Sequence, residues 1–186
     1  MAKIFIFRHG QTEDNKTHTF SGFRQSDLTS EGIAEAKTIG ETLKNEKVTR
    51  AYQSDLIRSQ HTLQLVLEGY HQGVEVITDP RIKERDYGNL TGKNKDVIEH
   101  QTPEQFKLWH RSYEVAPPGG ESIKDVEVRV LAFLNDVLPT LKPEDVVFIS
   151  ASANSMRPMR KYFEHLSNEE MCSYEYTPGK VYSYQA

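Results

Sequence analysis

Cysteine is almost absent. Cys172 is the single one in 186 residues, so no internal disulfide can form, and the chain suits a reducing compartment. No apolar run approaches the roughly 20 residues of a membrane-spanning helix, so no membrane partner is expected. The opening "MAKIFIFRHG" has neither the length nor the small-residue cleavage site of a secretory leader, and the cytoplasm is the expected location. There is no basic excess: 23 Lys and Arg face 27 Asp and Glu, a net charge of −4. With no basic tail, this argues against nucleic acid as a partner, although a local basic pocket for a small anion remains allowed. No group of His and Cys has metal-ligand spacing, so no metal is expected. Repeats, low-complexity stretches and linkers are missing as well. The length suits one domain that buries roughly 70% of its unfolded surface, and residues 1–186 are expected to form a single domain.

What is present reads as alternating strands and helices. Ile4 to Phe7 is a continuous apolar run, the mark of a strand covered on both faces. "TSEGIAEAKTIGETLKNE" sets Ile33, Ala36, Ile39 or Gly40, and Leu43 at helical spacing. "RAYQSD" reads as a second strand, "LIRSQHTLQLVLEGY" as a helix and "GVEVIT" as an alternating strand. Residues 81–101 show weak periodicity and are expected to be a functional loop with one helical turn. In "TPEQFKLWHRSY", Thr102 is placed to cap a helix, with Pro103 in its first turn and Gln105 completing a capping box. After the "APPGGES" loop, Ser122 caps a helix with Val126, Val130, Phe133 and Val137 inward. "DVVFIS", "NSMRPMRKYFEHL" and "KVYSYQ" read as strand, helix and strand. The fold class is therefore α/β, a three-layer sandwich with a mostly parallel central sheet flanked by helices. Ligands in such sheets sit beyond the carboxyl ends of the strands. Arg8-His9-Gly10, Ser54-Asp55 and Ser150-Ala151-Ser152 all fall at such ends.

Three segments carry candidate chemistry. In "FRHGQTEDN" a buried strand ends in a charged pair, which is costly unless the site needs it. A neutral, oriented imidazole is a nucleophile, and an arginine fork suits phosphate. Arg8-His9-Gly10 thus fits a phosphohistidine site, with Gly10 letting backbone approach a ligand; the bland alternative is a capped strand end. In "SDLIRSQHT", Arg58 lies one helical turn past a strand end and can point back towards Arg8. Taken alone it reads as an ordinary exposed helix arginine. In "ERDYGNLTGKNK", Glu84 suits a general acid or base if burial raises its pKa. Tyr87 and Lys95 suit a carboxylate or a second phosphate, and composition alone reads the same stretch as a solvated loop.

Together these segments resemble the histidine phosphatase superfamily, and within it the cofactor-dependent phosphoglycerate mutases, over nearly the whole chain. "RHGQTEDN" is similar to the family's opening motif, "FSG" at 20–22 to its substrate loop, and "SDLIRSQHT" to its second-arginine motif. "ERDYGNLTGKNK" and "WHRSYEVAPP" resemble the mutase branch. The resemblance implies an α/β sandwich in which His9 is the nucleophile, Arg8 and Arg58 hold the phosphate, and Glu84 moves the proton. Asn15, Ser21, Gly22, Tyr87, Lys95 and Arg111 would contact phosphoglycerate, and Asn154 would lie by the phosphate. It further implies 2,3-bisphosphoglycerate as phosphoryl donor if the chain is a mutase, and a small phosphorylated metabolite as partner. A homodimer is left open.

The match breaks at "ASANS", residues 151–155. Ser152 stands where the family carries a second histidine, and His165 lies too far along the next helix to replace it. Loss of one preorganised donor costs on the order of 100- to 1000-fold in rate, so low activity is expected. Either Ser152 is an engineered change in a real enzyme, or the chain is a natural weak or inactive relative. His110 before Arg111 replaces an arginine of the mutases, which makes that clamp weaker or pH-dependent, and "PPGGES" resembles a phosphatase-type loop. Three functions follow: a mutase interconverting 3- and 2-phosphoglycerate, a phosphatase for small phosphomonoesters, or a non-catalytic binder of phospho-ligands. Trp109, Met156, Met159 and Cys172 read as packing residues. His18, His61, His71 and His100 read as surface or packing residues, His18 being near enough to "FSG" to be weighed as a ligand contact.

Overall fold

A computed structural model describes residues 1–70 and 73–186; His71 lies outside them. The elements follow the order β1 (Lys3–Arg8), α1 (Glu13–Lys16), α2 (Ser30–Leu43), β2 (Arg50–Gln53), α3 (Ile57–Val66), β3 (Glu75–Thr78), α4 (Lys95–Gln101), α5 (Pro103–Arg111), α6 (Ile123–Val137), β4 (Val146–Ala151), α7 (Ala153–Glu164), α8 (Asn168–Ser173) and β5 (Val181–Gln185). Short 3₁₀ turns lie at Pro80–Ile82, Gly88–Leu90 and Leu138–Thr140.

The strands form one sheet in the order β3-β2-β4-β1-β5. β3, β2, β4 and β1 run parallel, and β5 closes the edge antiparallel to β1. The central strands β1 and β4 are covered on both faces, which explains their unbroken apolar runs. Ile4, Ile6, Val147 and Ile149 face a cluster with Val126, Val130 and Phe133 of α6 and Met156 and Met159 of α7. Phe5, Phe7 and Phe148 face Ile39 and Leu43 of α2 and Leu63 and Val66 of α3. This is the expected three-layer α/β sandwich. Pairing of Arg8 with Ala151 ends the β1–β4 ladder, so "RHG" and "SAN" leave the sheet side by side at the carboxyl ends of its two central strands.

Two expectations about local structure are corrected. Thr102 does not cap α5: its hydroxyl donates back to the Ile98 carbonyl at 3.0 Å, because Thr102 also ends α4. Residues 81–101 hold more than one helical turn, since α4 occupies seven residues. The signal for it was Asn94, whose side chain accepts from Val97 N at 3.1 Å while its amide donates to Thr17 O at 2.8 Å. Ser122 does cap α6, in a reciprocal pair with Asp125.

Candidate active site

Gly10 is needed for a reason other than ligand approach. A Cβ there would meet the Gly32 carbonyl oxygen at 2.2 Å, and a Cβ on Gly32 would meet the Gln11 oxygen at 2.1 Å. Two glycines thus press the segment after β1 against the first turn of α2. Gly10 N donates to Thr62 Oγ1 at 3.0 Å, and Thr62 Oγ1 donates to Arg58 O at 2.7 Å. The segment carrying His9 is therefore fixed to α2 and to α3.

That fixing orients the imidazole. His9 is 4% exposed. Its Nδ1 lies 2.8 Å from the Gly10 carbonyl oxygen, which can only accept, so the ring proton sits on Nδ1 and Nε2 keeps its lone pair. Burial, followed by the Arg58 and Arg8 charges, holds His9 well below its ordinary pKa. The ring is accordingly a neutral base with Nε2 available. Arg58 Nε donates to that nitrogen at 3.2 Å.

Arg58 is no exposed helix arginine: it is wholly buried. Its Nη1 donates to Arg24 O at 2.7 Å and its Nη2 to Gly22 O at 2.9 Å. Gly22 has φ +49, a left-handed turn that glycine adopts without strain, and this turn aims its carbonyl at Arg58. The "FSG" loop thus holds the guanidinium whose third direction faces His9. Arg8 is half-buried, and its Nε is enclosed without a hydrogen-bond partner among the described residues.

Beside these groups lies a cavity of about 170 Å³. Of the residues expected at the site, Arg8, Asn15, Ser21, Glu84, Tyr87, Lys95, Arg111 and Asn154 line it. His9, Arg58, Gly22 and Ser152 do not line it; His9 is joined to it through its chain neighbour Arg8. Glu84 is 8% exposed. Its Oε1 accepts from Arg85 N at 2.7 Å and from Asn154 Nδ2 at 2.8 Å, while Oε2 makes no hydrogen bond among the described residues. The same Asn154 amide donates to Tyr87 Oη at 3.0 Å. Burial pushes the Tyr87 hydroxyl up, helped by the Glu84 charge, so Tyr87 keeps its proton. Burial lowers Lys95, whose Nζ lies 5.5 Å from the centre of the Phe20 ring.

Several residues escaped the sequence reading. Arg157, 2% exposed, also lines the cavity; its Nε donates to Asn154 Oδ1 at 3.2 Å. Its spacing of three from Asn154 on one helix was the signal that would have found it. Glu175 and Tyr176 line the cavity too, from an aperiodic segment that carried no signal. Behind Glu84, Arg129 of α6 donates to the carbonyls of Arg81, Lys83 and Glu84 at 2.6, 2.9 and 2.8 Å. The "PPGG" loop packs on the same segment, with Asn89 N donating to Pro118 O at 2.9 Å. It serves here as a support for Glu84 and Tyr87.

Ser152 is wholly buried and caps α7: its N donates to Ser155 Oγ at 3.1 Å, while its own Oγ has no well-formed partner among the described residues. It follows Ala151, whose carbonyl accepts from His9 N at 3.0 Å, so residue 152 borders the His9 backbone. α7 begins at Ala153, and Ala153 and Asn154 of its first turn line the cavity. A helix start favours an anion there.

His110 corrects one expectation. Burial, then the charges of Arg111 and Lys95, push it from the ordinary 6.5 down to about 3. It is neutral near pH 7 and makes no pH-dependent clamp there. The consequence is for stability: between about 6.5 and about 3 the unfolded chain binds a proton that the folded chain refuses, so stability falls as pH falls through that window. His110→Gln is expected to flatten this acid limb, read as urea midpoints at pH 7 and pH 5. Equal slopes in both proteins would contradict it. His18 lies in a wider basin of about 610 Å³ outside the cavity, paired with Asp96 at 3.2 Å.

Comparison with known proteins decides the family. The model of the histidine phosphatase superfamily (branch 1) matches residues 4–185. The chain belongs to the histidine phosphatase superfamily. A 2,3-bisphosphoglycerate-dependent phosphoglycerate mutase of Nitrobacter winogradskyi is 41% identical over 98% of this chain and 90% of its own. One of Brucella melitensis is 41% identical over 95% and 88%. Among solved structures, Bacillus stearothermophilus YhfR superposes with a TM-score of 0.88 at 24% identity, covering 98% of this chain and 90% of its own. A mycobacterial glucosyl-3-phosphoglycerate phosphatase complexed with VO3 gives 0.81 at 24%, covering 97% and 91%. The protein is thus an enzyme of the phosphoglycerate mutase or histidine phosphatase kind. Among the described residues no group of three or more His, Cys, Asp or Glu is placed to hold a metal ion, and no helix is long and apolar enough to cross a membrane.

Proposed function

We propose that this superfamily member transfers a phosphoryl group through Nε2 of His9, interconverting 3- and 2-phosphoglycerate, and that residues 1–186 form the single domain that does so. The observation that carries the reading is the His9 ring, its proton fixed on Nδ1 by Gly10 O and its unprotonated Nε2 held by Arg58. The mutase relatives support the choice of substrate.

A transferring phosphoryl group spreads negative charge over its oxygens, and positioning with electrostatic stabilisation does most of the work. The unpartnered Arg8 Nε and the Arg58 Nε now spent on His9 are the donors for those oxygens. Entry of phosphate draws Arg58 off Nε2 and so frees the nucleophile. Glu84, anchored through Oε1, offers Oε2 to protonate the leaving oxygen and to take the proton back from the acceptor hydroxyl. Tyr87, Lys95, Arg111 and Asn154 hold the glycerate body, with Asn15 of α1 and Ser21 on the same cavity, while Gly22 acts through the carbonyl that holds Arg58. The enclosed Arg8 nitrogen and the cations Lys95, Arg111 and Arg157 on the same cavity fit 2,3-bisphosphoglycerate. When bound, that compound supplies the phosphoryl group that charges the nucleophile.

Ser152 limits the rate. Its hydroxyl is neutral and short where a charged donor beside His9 would complete the positive cup. The test is product analysis with the Ser152→His protein, 3-phosphoglycerate and 2,3-bisphosphoglycerate. Formation of 2-phosphoglycerate in excess of inorganic phosphate is expected. Release of inorganic phosphate without interconversion would replace the mutase by a phosphatase, with water entering from the outer basin. Binding without either product would leave a phospho-ligand binder.

A further inference from the structure

One carboxylate stands among the cations at the mouth of the cavity. Arg111, His110 and Glu175 line both the cavity and the basin outside it, and there Arg111 Nη2 pairs with Glu175 Oε1. The pair sits at the solvent edge, the Glu175 side chain being 75% exposed. The segment bearing it is nevertheless anchored. The Tyr174 ring lies 3.6 Å from the Arg160 guanidinium and its hydroxyl 2.9 Å from that of Tyr182. On the other side, Tyr176 lies 5.7 Å from the Arg157 guanidinium. Glu175 is therefore presented to Arg111 by a fixed backbone rather than by a free strand of chain.

An anion that reaches Arg111 must displace this carboxylate, and a ligand without a second anion need not. We infer that Glu175 is a specificity-determining residue, which weakens the cavity's grip on the carboxylate or second phosphate of a phosphomonoester and leaves its grip on the first phosphate unchanged. The inference rests on the reading of the cavity as a phosphomonoester site and states how strongly that site prefers a second negative charge. His110 does not offset the effect, being neutral beside Arg111.

The experiment compares two esters that differ at one end: 3-phosphoglycerate carries a carboxylate where glycerol 3-phosphate carries a hydroxymethyl group. Each is titrated calorimetrically into the unaltered protein and into Glu175→Gln. Exposed ion pairs are weak, at most about 1 kcal/mol, so 3-phosphoglycerate is expected to bind roughly 2- to 5-fold tighter to the variant. Glycerol 3-phosphate is expected to change by less than about 2-fold, and the gain for 3-phosphoglycerate is expected to shrink as salt is raised. An equal change for both esters, or none for 3-phosphoglycerate, would overturn the assignment. A different failure, no binding of either ester to either protein, would overturn the phosphomonoester reading itself and this inference with it. Because Glu175 is so exposed, loss of folding does not confuse the result, and the ratio between the two esters is a readout that a merely structural role would not move.

Discussion

Ser152→His is expected to raise phosphoryl transfer by on the order of 100- to 1000-fold, the usual worth of one preorganised donor in a water-poor site. The gain has a specific origin. Residue 152 follows the residue whose carbonyl accepts the His9 N–H, so its backbone runs beside that of His9. The serine Oγ is enclosed without a well-formed partner among the described residues, so replacing it breaks no strong hydrogen bond. An imidazole is larger than a hydroxymethyl group, and overpacking costs about 1–3 kcal/mol. A fall in thermal midpoint alongside the gain in rate is therefore part of the expectation. The measurement is single-turnover transfer from labelled phosphoglycerate in both proteins. Equal rates would mean that residue 152 does not limit the reaction.

Arg58→Met is expected to cost more than 1000-fold in transfer, since it removes a donor and a cation together. Met roughly keeps the volume but abandons three partners at once: His9 Nε2, Gly22 O and Arg24 O. Each buried carbonyl left unpaired costs about 1–3 kcal/mol. Release from burying a charge, which already lowers the Arg58 pKa, offsets part of that. The loss of activity should thus exceed what the loss of stability explains. Arg58→Lys separates charge from geometry: an ammonium keeps the charge but cannot donate in three fixed planar directions. It should recover stability before it recovers rate. Full activity in Arg58→Lys would show that a point charge suffices.

The layers of this fold were legible because their cause is local. The apolar runs at Ile4–Phe7 and Val146–Ile149 are buried on both faces, and α6 shows its inward stripe at the expected residues. The sequence reading failed where two elements share a residue. Thr102 has the chemistry of a helix cap, yet its hydroxyl turns back to the preceding helix. α8 went unread, although Ser167 and Glu170 form a capping box before it. In the site, the strand end brought Arg8 and His9 into view, the chemistry of its segment Glu84, and the family resemblance Asn154. The burial of Arg58 was invisible, since it depends on carbonyls from a loop more than 30 residues away. The packing need for Gly10 was invisible because Gly32, its close neighbour, lies on another element. Glu175 and Tyr176 carry no periodicity or motif, and the packing of Tyr174 on Arg160 and of Tyr176 on Arg157 brings them to the cavity.

The central claim is that one nitrogen of His9 accepts a phosphoryl group. The direct measurement is to expose the Ser152→His protein to 32P-labelled 2,3-bisphosphoglycerate, quench in alkali and locate the label by peptide mapping. Acid-labile label on the peptide carrying His9, absent from the same protein with His9→Ala, is the predicted result. Label on any other residue, or label that survives the loss of His9, would contradict the account.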